Sequence, residues 1–264
     1  MVKSMKKIFL VVIYKSLISE SKSCQFIKDM NLLANKNNVV YIWDNSPDKI
    51  NSIESMRDFF AFENIYFSHT PQNISLAKIY NTVIDKFSHF DAIQIFDQDS
   101  YIKKVDYDRY IDCIFSENEN LNVFLPRIYS NNKLYSPGIF FIKGFHFKKV
   151  ELGINKNRLY TGVTSGMMLR IKWLKEKKLV FNEELQLYCI DTDFICKCRK
   201  LDSSFFVFDV DFIHDLSEDS LTVEEKKIRR RIQIEGTRII YKNNFFCNFL
   251  IRIYEFLLKL TKRI

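Results

Sequence analysis

The stretch Asp91-Ala92-Ile93-Gln94-Ile95-Phe96-Asp97-Gln98-Asp99-Ser100 decides how this chain folds. Its apolar run reads as a buried strand that stops abruptly on two carboxylates spaced i, i+2. Buried strands of this kind belong to parallel sheets, and such sheets bind ligands at their carboxyl ends. Two carboxylates at that end can hold a divalent metal. The spacing alone says little. Three further Asp-x-Asp triplets stand at 106/108, 191/193 and 209/211, and composition alone would give about one by chance. Context sets 97/99 apart.

Working outward, strand patterns at 7–13, 39–44 and 65–67 precede it. Helical patterns at 23–34, 50–60 and 75–87 lie between them. Short strands alternating with helices of this length predict βαβ units and an α/β fold with a mostly parallel central sheet flanked by helices. Beyond it, 123–126 and 139–142 read as strands around a polar turn at 130–133. Residues 160–168 form a small-residue loop. Residues 172–178 read as a short basic helix, and 191–199 as a helix whose acidic start suits its N-terminus. A strand follows at 205–212.

With 264 residues, 47% of them hydrophobic and 15% aromatic, the chain can bury a sizeable core. The division expected is a domain over 1–220 and a basic amphipathic helical tail over 221–264. That tail holds eleven Lys and Arg against four Glu, so it carries nearly all of the +8 net charge. Within it Phe245, Phe246, Phe249, Leu250, Ile253 and Leu257 share one helical face. Arg252, Glu255, Lys259 and Lys262 share another. Basic amphipathic helices dock on anionic membrane surfaces. The six Cys lack zinc-site spacing and read as reduced thiols of a cytosolic protein. The apolar run at 8–13 is too short for a signal peptide, and no stretch approaches the ~20 apolar residues that span a bilayer.

There is no GxGxxG and no P-loop, so neither a dinucleotide fold nor a kinase-type NTPase is supported. Asp44-Asn45-Ser46-Pro47 ends a strand. Its carboxylate suits either a base or ribose contact or an Asx turn before proline. Asn73 reads as a helix cap, with Ala77 and Asn81 one turn apart on one face.

Taken in order, Asp44-Asn45-Ser46, Asn73-x-x-x-Ala77-x-x-x-Asn81, Phe96-Asp97-Gln98-Asp99-Ser100, Thr164-Ser165-Gly166, Phe181-Asn182-Glu183-Glu184-Leu185 and Ile190-Asp191-Thr192-Asp193-Phe194 resemble one family. They are similar to family 2 glycosyltransferases, in the bacterial rhamnosyltransferase-like branch that builds O-antigen and capsule chains. The resemblance spans roughly residues 7–217. It implies a GT-A fold, a nucleotide-sugar donor, Mn²⁺ or Mg²⁺, and inversion at the anomeric carbon.

Carried over by position, Asp44, Asn45, Asn73, Ala77, Asn81, Asp97 and Gln98 would serve the donor. Asp99, with Asp97, would ligate the metal, and Ser165 and Gly166 would line the acceptor side. Asp191 would be the general base, and His214 a further metal or diphosphate contact. The implied acceptor is a lipid-linked or growing saccharide at the inner face of the cytoplasmic membrane, reached through 221–264. The chain departs from the family pattern at Ile74-Ser75, at Tyr188 and at Ile190-Asp191. Two other readings compete. One is a non-catalytic nucleotide-sugar-binding subunit of a polysaccharide assembly complex. The other is a nucleic-acid-binding module, which the absence of any zinc finger, RNP-like strand or reading helix disfavours.

Overall fold

Lys7-Ile8-Phe9-Leu10-Val11-Val12-Ile13 forms the first strand, and every side chain in it is buried. Alternate residues face opposite sides, so both faces of the sheet need a covering layer. This computed structural model describes residues 5–102, 106–130, 133–147, 149–185, 187–213, 222–261 and 264. The elements run β1 (Lys7–Ile13), α1 (Lys22–Asp29), β2 (Asn38–Asp44), α2 (Ile53–Phe60), β3 (Ile65–His69), α3 (Leu76–Lys86), β4 (Ala92–Asp97) and α4 (Tyr107–Glu117). Next come β5 (Val123–Ser130), β6 (Lys133–Ser136), β7 (Gly138–Phe140), β8 (Gly144–His146), β9 (Gly153–Lys156), β10 (Tyr160–Thr161) and β11 (Met168–Arg170). The last are α5 (Ile171–Glu176), α6 (Ile190–Leu201), β12 (Ser204–Ile213), α7 (Val223–Ile240) and α8 (Phe245–Leu260).

The fold is the α/β architecture expected. The main sheet has the order β3-β2-β1-β4-β11-β5-β12-β9, with β6 beside β5. β3, β2, β1 and β4 are parallel, as are β5 and β12, while β11 runs antiparallel between the two groups. A small second sheet has the order β10-β7-β8. Ile8, Leu10 and Val12 pack with α3 and α6, through Ile79, Val83, Phe194 and Ile195. Phe9, Val11 and Ile13 pack with α1, α2 and α4, through Phe26, Met56, Tyr107 and Ile111.

Strand order reverses at β1, which pairs with β2 on one side and β4 on the other. Open α/β sheets bind ligands in the crevice at such a switch point. Val12 pairs with Asp97 there, so the carboxylates that end β4 stand at the mouth of the crevice.

Two local expectations change. Ser75, not Asn73, caps α3: its Oγ accepts from the Ala77 N–H, and Asn73 takes a left-handed backbone (φ 46°) two residues earlier. The tail is two helices, α7 and α8, joined by a turn and folded back on the domain. The Tyr241 hydroxyl donates to the Phe141 carbonyl, and its ring stacks on Phe140 at 6.2 Å. All six cysteines are free, and burial pushes the thiols of Cys24, Cys189, Cys196 and Cys198 up, to about 12 at Cys24 and Cys189 and about 11 at Cys196. Thiols held that high are inert at neutral pH.

Candidate active site

A cavity of about 680 Å³ opens at the carboxyl edge of the sheet, within the roughly 300–1,000 Å³ usual for small-molecule sites. Asp97, Gln98 and Asp99 line it from the end of β4, and Asp191 lines it from the first turn of α6. These are four of the residues singled out in the sequence, and 94 positions separate the first from the last.

The β4 end is held by α1. The Ser23 hydroxyl donates to the carbonyls of Asp97 and Ser100, the Ser21 hydroxyl donates to the Gln98 carbonyl at 3.0 Å, and Gln98 Oε1 accepts from the Tyr14 N–H at 2.7 Å. These bonds consume backbone groups and the Gln98 amide oxygen. They fix the turn from behind while Asp97 and Asp99 face the cavity.

Asp191 accepts from the Thr192 N–H at 2.7 Å and from the Thr192 hydroxyl at 3.3 Å. It is half-buried, with its open side on the cavity. That desolvation raises its carboxyl above the usual carboxylate range, against the pull of the Thr192 bonds. Tyr80 lies buried behind the same wall. Burial lifts its hydroxyl far above the usual phenol range, with the Asp97 charge next in effect and Asp191 also contributing.

The other Asp-x-Asp triplets have other employment. Asp108 pairs with buried Lys7 at 2.7 Å, and Asp106 is the left-handed N-cap of α4. Asp209 and Asp211 pair with Arg127 at 3.4 and 2.6 Å. Asp193 is buried and pairs with Lys197 at 2.7 Å, one helical turn on. Only 97/99 puts both carboxylates on the cavity; 191/193 puts one there.

Several expected contacts sit behind the cavity rather than on it. Asp44 is fully buried, its oxygens accepting from the Ser46 N–H and the Asn51 amide, each at 3.0 Å. Asn45 clasps the 70–74 loop: it donates to Asn73 Oδ1 and the Ile74 carbonyl, and accepts from Thr70 and the Ile74 N–H. Ala77 is wholly buried in the core. Asn81 bonds both backbone groups of Phe181 and the Glu183 carboxylate. These residues brace the loops around the site.

Ser165 and Gly166 are likewise buried, Ser165 against the Ser100 hydroxyl and Gly166 in a left-handed turn (φ 75°). The wall itself is made by Thr161, Gly162, Val163 and Thr164 just before them. His214 lies outside the described residues.

The small β7–β8 sheet adds a wall through Gly138, Phe140, Lys143, Phe145 and His146, and a further wall comes from the tail, which the sequence reading sets apart as an appendage. Arg229, Arg230, Gln233, Ile234 and Thr237 of α7 line the cavity, with Ile251, Tyr254 and Leu258 of α8. Gly236 lets α7 approach α6 closely: a Cβ there would lie 2.9 Å from the Cys189 side chain.

The donor set suits a hard divalent cation. Mg²⁺-type ions take one or two protein carboxylates and let substrate phosphates complete the shell. Asp97 and Asp99 offer such a pair. Among the described residues no group of three or more His, Cys, Asp or Glu forms a closed cage.

Comparison with protein-family models and with curated proteins returns no match. Solved structures do match. TarS 1–349 of S. aureus, solved alone and with UDP, aligns at TM-scores of 0.55 and 0.56 with 18% identity, over 87–88% of this chain and 65% of its own. GalNAc-T7 with UDP, GalNAc and Mn²⁺ aligns at 0.65 with 9% identity, over 90% of this chain and 48% of its own. The chain therefore spans 48–65% of the length of these neighbours. Identities this low speak for the fold, and the fold is that of the GT-A glycosyltransferases.

Proposed function

We propose that this protein is an inverting glycosyltransferase. It would move a sugar from a nucleotide-sugar, a UDP-hexose or dTDP-rhamnose, to a lipid-linked or growing polysaccharide acceptor in O-antigen or capsule synthesis. One observation carries the proposal: Asp97, Asp99 and Asp191 line a single cavity at the switch point of a GT-A sheet. Solved neighbours of the same fold hold UDP, UDP-GlcNAc and Mn²⁺.

In this reading Asp97 and Asp99 would hold Mn²⁺ or Mg²⁺, whose charge would offset that of the departing diphosphate. Asp191 takes the proton from the acceptor hydroxyl as that oxygen attacks the anomeric carbon. The bond from that carbon to the diphosphate breaks on the opposite face, so configuration inverts. A carboxyl raised by burial is a better base than an exposed one, because its proton affinity is nearer the working pH. Asp44 and the clasp around Asn45 would shape the base and ribose end from behind.

The tail supports a peripheral position at the inner face of the cytoplasmic membrane. No helix among the described residues is long and apolar enough to cross a bilayer. On α8, however, Phe245, Phe249 and Phe256 are 89%, 54% and 60% exposed, while Ile251 and Leu258 on the opposite side are buried. An exposed aromatic stripe beside Arg252 and Lys259 suits an anionic lipid surface.

The test is a screen of UDP-, dTDP- and GDP-sugars with Mn²⁺ or Mg²⁺, read by donor hydrolysis and by thermal shift. Metal-dependent hydrolysis of one donor is expected. If no donor is hydrolysed and none shifts the melting temperature, the reading is overturned.

A further inference from the structure

α7 carries Lys226, Lys227, Arg229, Arg230 and Arg231 in one run. Only Arg229 and Arg230 of these line the cavity. They are mounted on a fixed support. Thr222 and Glu225 cap the start of α7 in a reciprocal box, Gly236 seats it against Cys189, and Tyr241 anchors its end. The Arg229 guanidinium lies 5.1 Å from the Tyr188 ring centre. Its Nε is buried and has no hydrogen-bond partner among the described residues.

A buried N–H without an acceptor costs free energy that a ligand oxygen would recover. The acceptor such a fork matches best is a phosphate, which it can take through two parallel bonds. Charge leads to the same place. Besides those two arginines the cavity wall carries Asp97, Asp99 and Asp191 against Lys143, and a diphosphate entering it adds negative charge that one divalent cation and one ammonium only partly offset. Arg229 and Arg230 supply two further positive charges to the same cavity wall.

We propose that Arg229 and Arg230 form a diphosphate subsite contributed by the tail, a deepening that rests on the glycosyltransferase reading above. The diphosphate belongs either to the nucleotide-sugar or to a lipid diphosphate that carries the acceptor. Tyr188 holds the Arg229 plane in register through its ring face, so it acts as a positioning residue.

The test uses the full chain with Mn²⁺, titrated calorimetrically with UDP, inorganic pyrophosphate, farnesyl diphosphate and uridine. The variants are R229Q, R230Q, R229Q/R230Q and R229K/R230K. Wild type binds pyrophosphate, and each Gln variant binds it about tenfold or more weakly, the loss expected for a hydrogen bond to a charged group. Uridine binding is unchanged. The double Lys variant keeps the charge without the fork, retains the fold, and falls between. Loss of UDP affinity alone assigns the donor diphosphate; loss of farnesyl diphosphate alone assigns the acceptor's. If the double Gln and double Lys variants bind all three diphosphates as wild type does, the subsite is refuted while the parent reading stands. If wild type binds no nucleotide but loses pyrophosphate on substitution, the subsite stands and the parent reading falls.

Discussion

Asp191→Asn separates catalysis from folding at the proposed base. Asn keeps an Oδ1 that can accept from the Thr192 N–H, so the first turn of α6 retains its 2.7 Å bond. It cannot take a proton. General-base catalysis contributes about 10²–10⁴ in rate, and with each tenfold worth about 1.4 kcal/mol the barrier should rise by about 3–5 kcal/mol. The assay is metal-dependent hydrolysis of the competent nucleotide-sugar, where water takes the place of the acceptor hydroxyl. Wild-type hydrolysis should fall as the pH drops through the raised Asp191 value, and the variant's residual rate should lack that acid limb.

Stability should move the other way. Burial raises the Asp191 carboxyl in the folded state. A carboxyl raised on folding favours the native state fully below its unfolded value. That contribution is lost as pH rises through the folded value. At neutral pH the charged form is a burden that Asn removes. Asp191→Asn should therefore melt higher than wild type at pH 7, and the gap should close at acid pH. Hydrolysis at the wild-type rate, or a lower melting temperature at pH 7 with the acid limb intact, would refute the assignment.

Lys7→Met removes the cation that serves buried Asp112 and Asp108. Breaking such a pair costs about 3–5 kcal/mol, or about 6–20 °C in melting temperature for a chain of this size. Adding Asp112→Asn should restore most of the loss, and a single variant that melts within a degree of wild type would sink the idea. Gly166→Ala forces a left-handed alanine whose Cβ would lie 2.4 Å from Phe212 and 2.8 Å from Pro126. It should lose about 2–5 kcal/mol by denaturant titration, whereas an unshifted midpoint would mean the turn relaxes freely. Replacing Phe245, Phe249 and Phe256 by Ser should abolish cosedimentation with anionic vesicles and leave the melting temperature unchanged. Equal sedimentation of variant and wild type would remove the membrane proposal.

The first half of the fold is legible because β1, β2 and β4 are buried on both faces. The apolar run at 7–13 coincides with β1, since nothing polar interrupts it after Lys7. α4 is absent from the sequence reading for the converse reason. Its core face, Tyr107, Ile111, Ile114 and Phe115, also carries buried Asp112. A carboxylate there looks like a break in the pattern. It is tolerated because Lys7, 105 residues away, neutralises it, and a local pattern cannot carry a partner that distant.

The motif asparagines were ambiguous in the same way. Asn45 and Asn81 stand at positions that read as ligand contacts, yet they spend their amides on loop backbones. Nothing in the residue type distinguishes the two uses. The carboxylates at 97, 99 and 191 gain their common cavity only through the β4 switch point and the first turn of α6, which are properties of topology.

The tail gave one signal that it is more than an appendage. Gly236 sits inside α7, where glycine weakens a helix by about 1 kcal/mol relative to alanine. A glycine kept at that cost marks a close approach, and the structure puts Cys189 and Leu185 there. That approach makes α7 and α8 the outer wall of the cavity. α8 is then one helix thick between two environments. Ile251, Tyr254 and Leu258 face the cavity, and the Phe245, Phe249 and Phe256 stripe faces out. A helix with its side chains is about 10 Å across. On the proposed docking, the reacting sugar lies roughly that far from the lipid surface, within reach of a saccharide whose lipid stays in the bilayer. The same helices proposed to bind the surface also wall the site, so on that proposal docking and substrate capture would be coupled through α8.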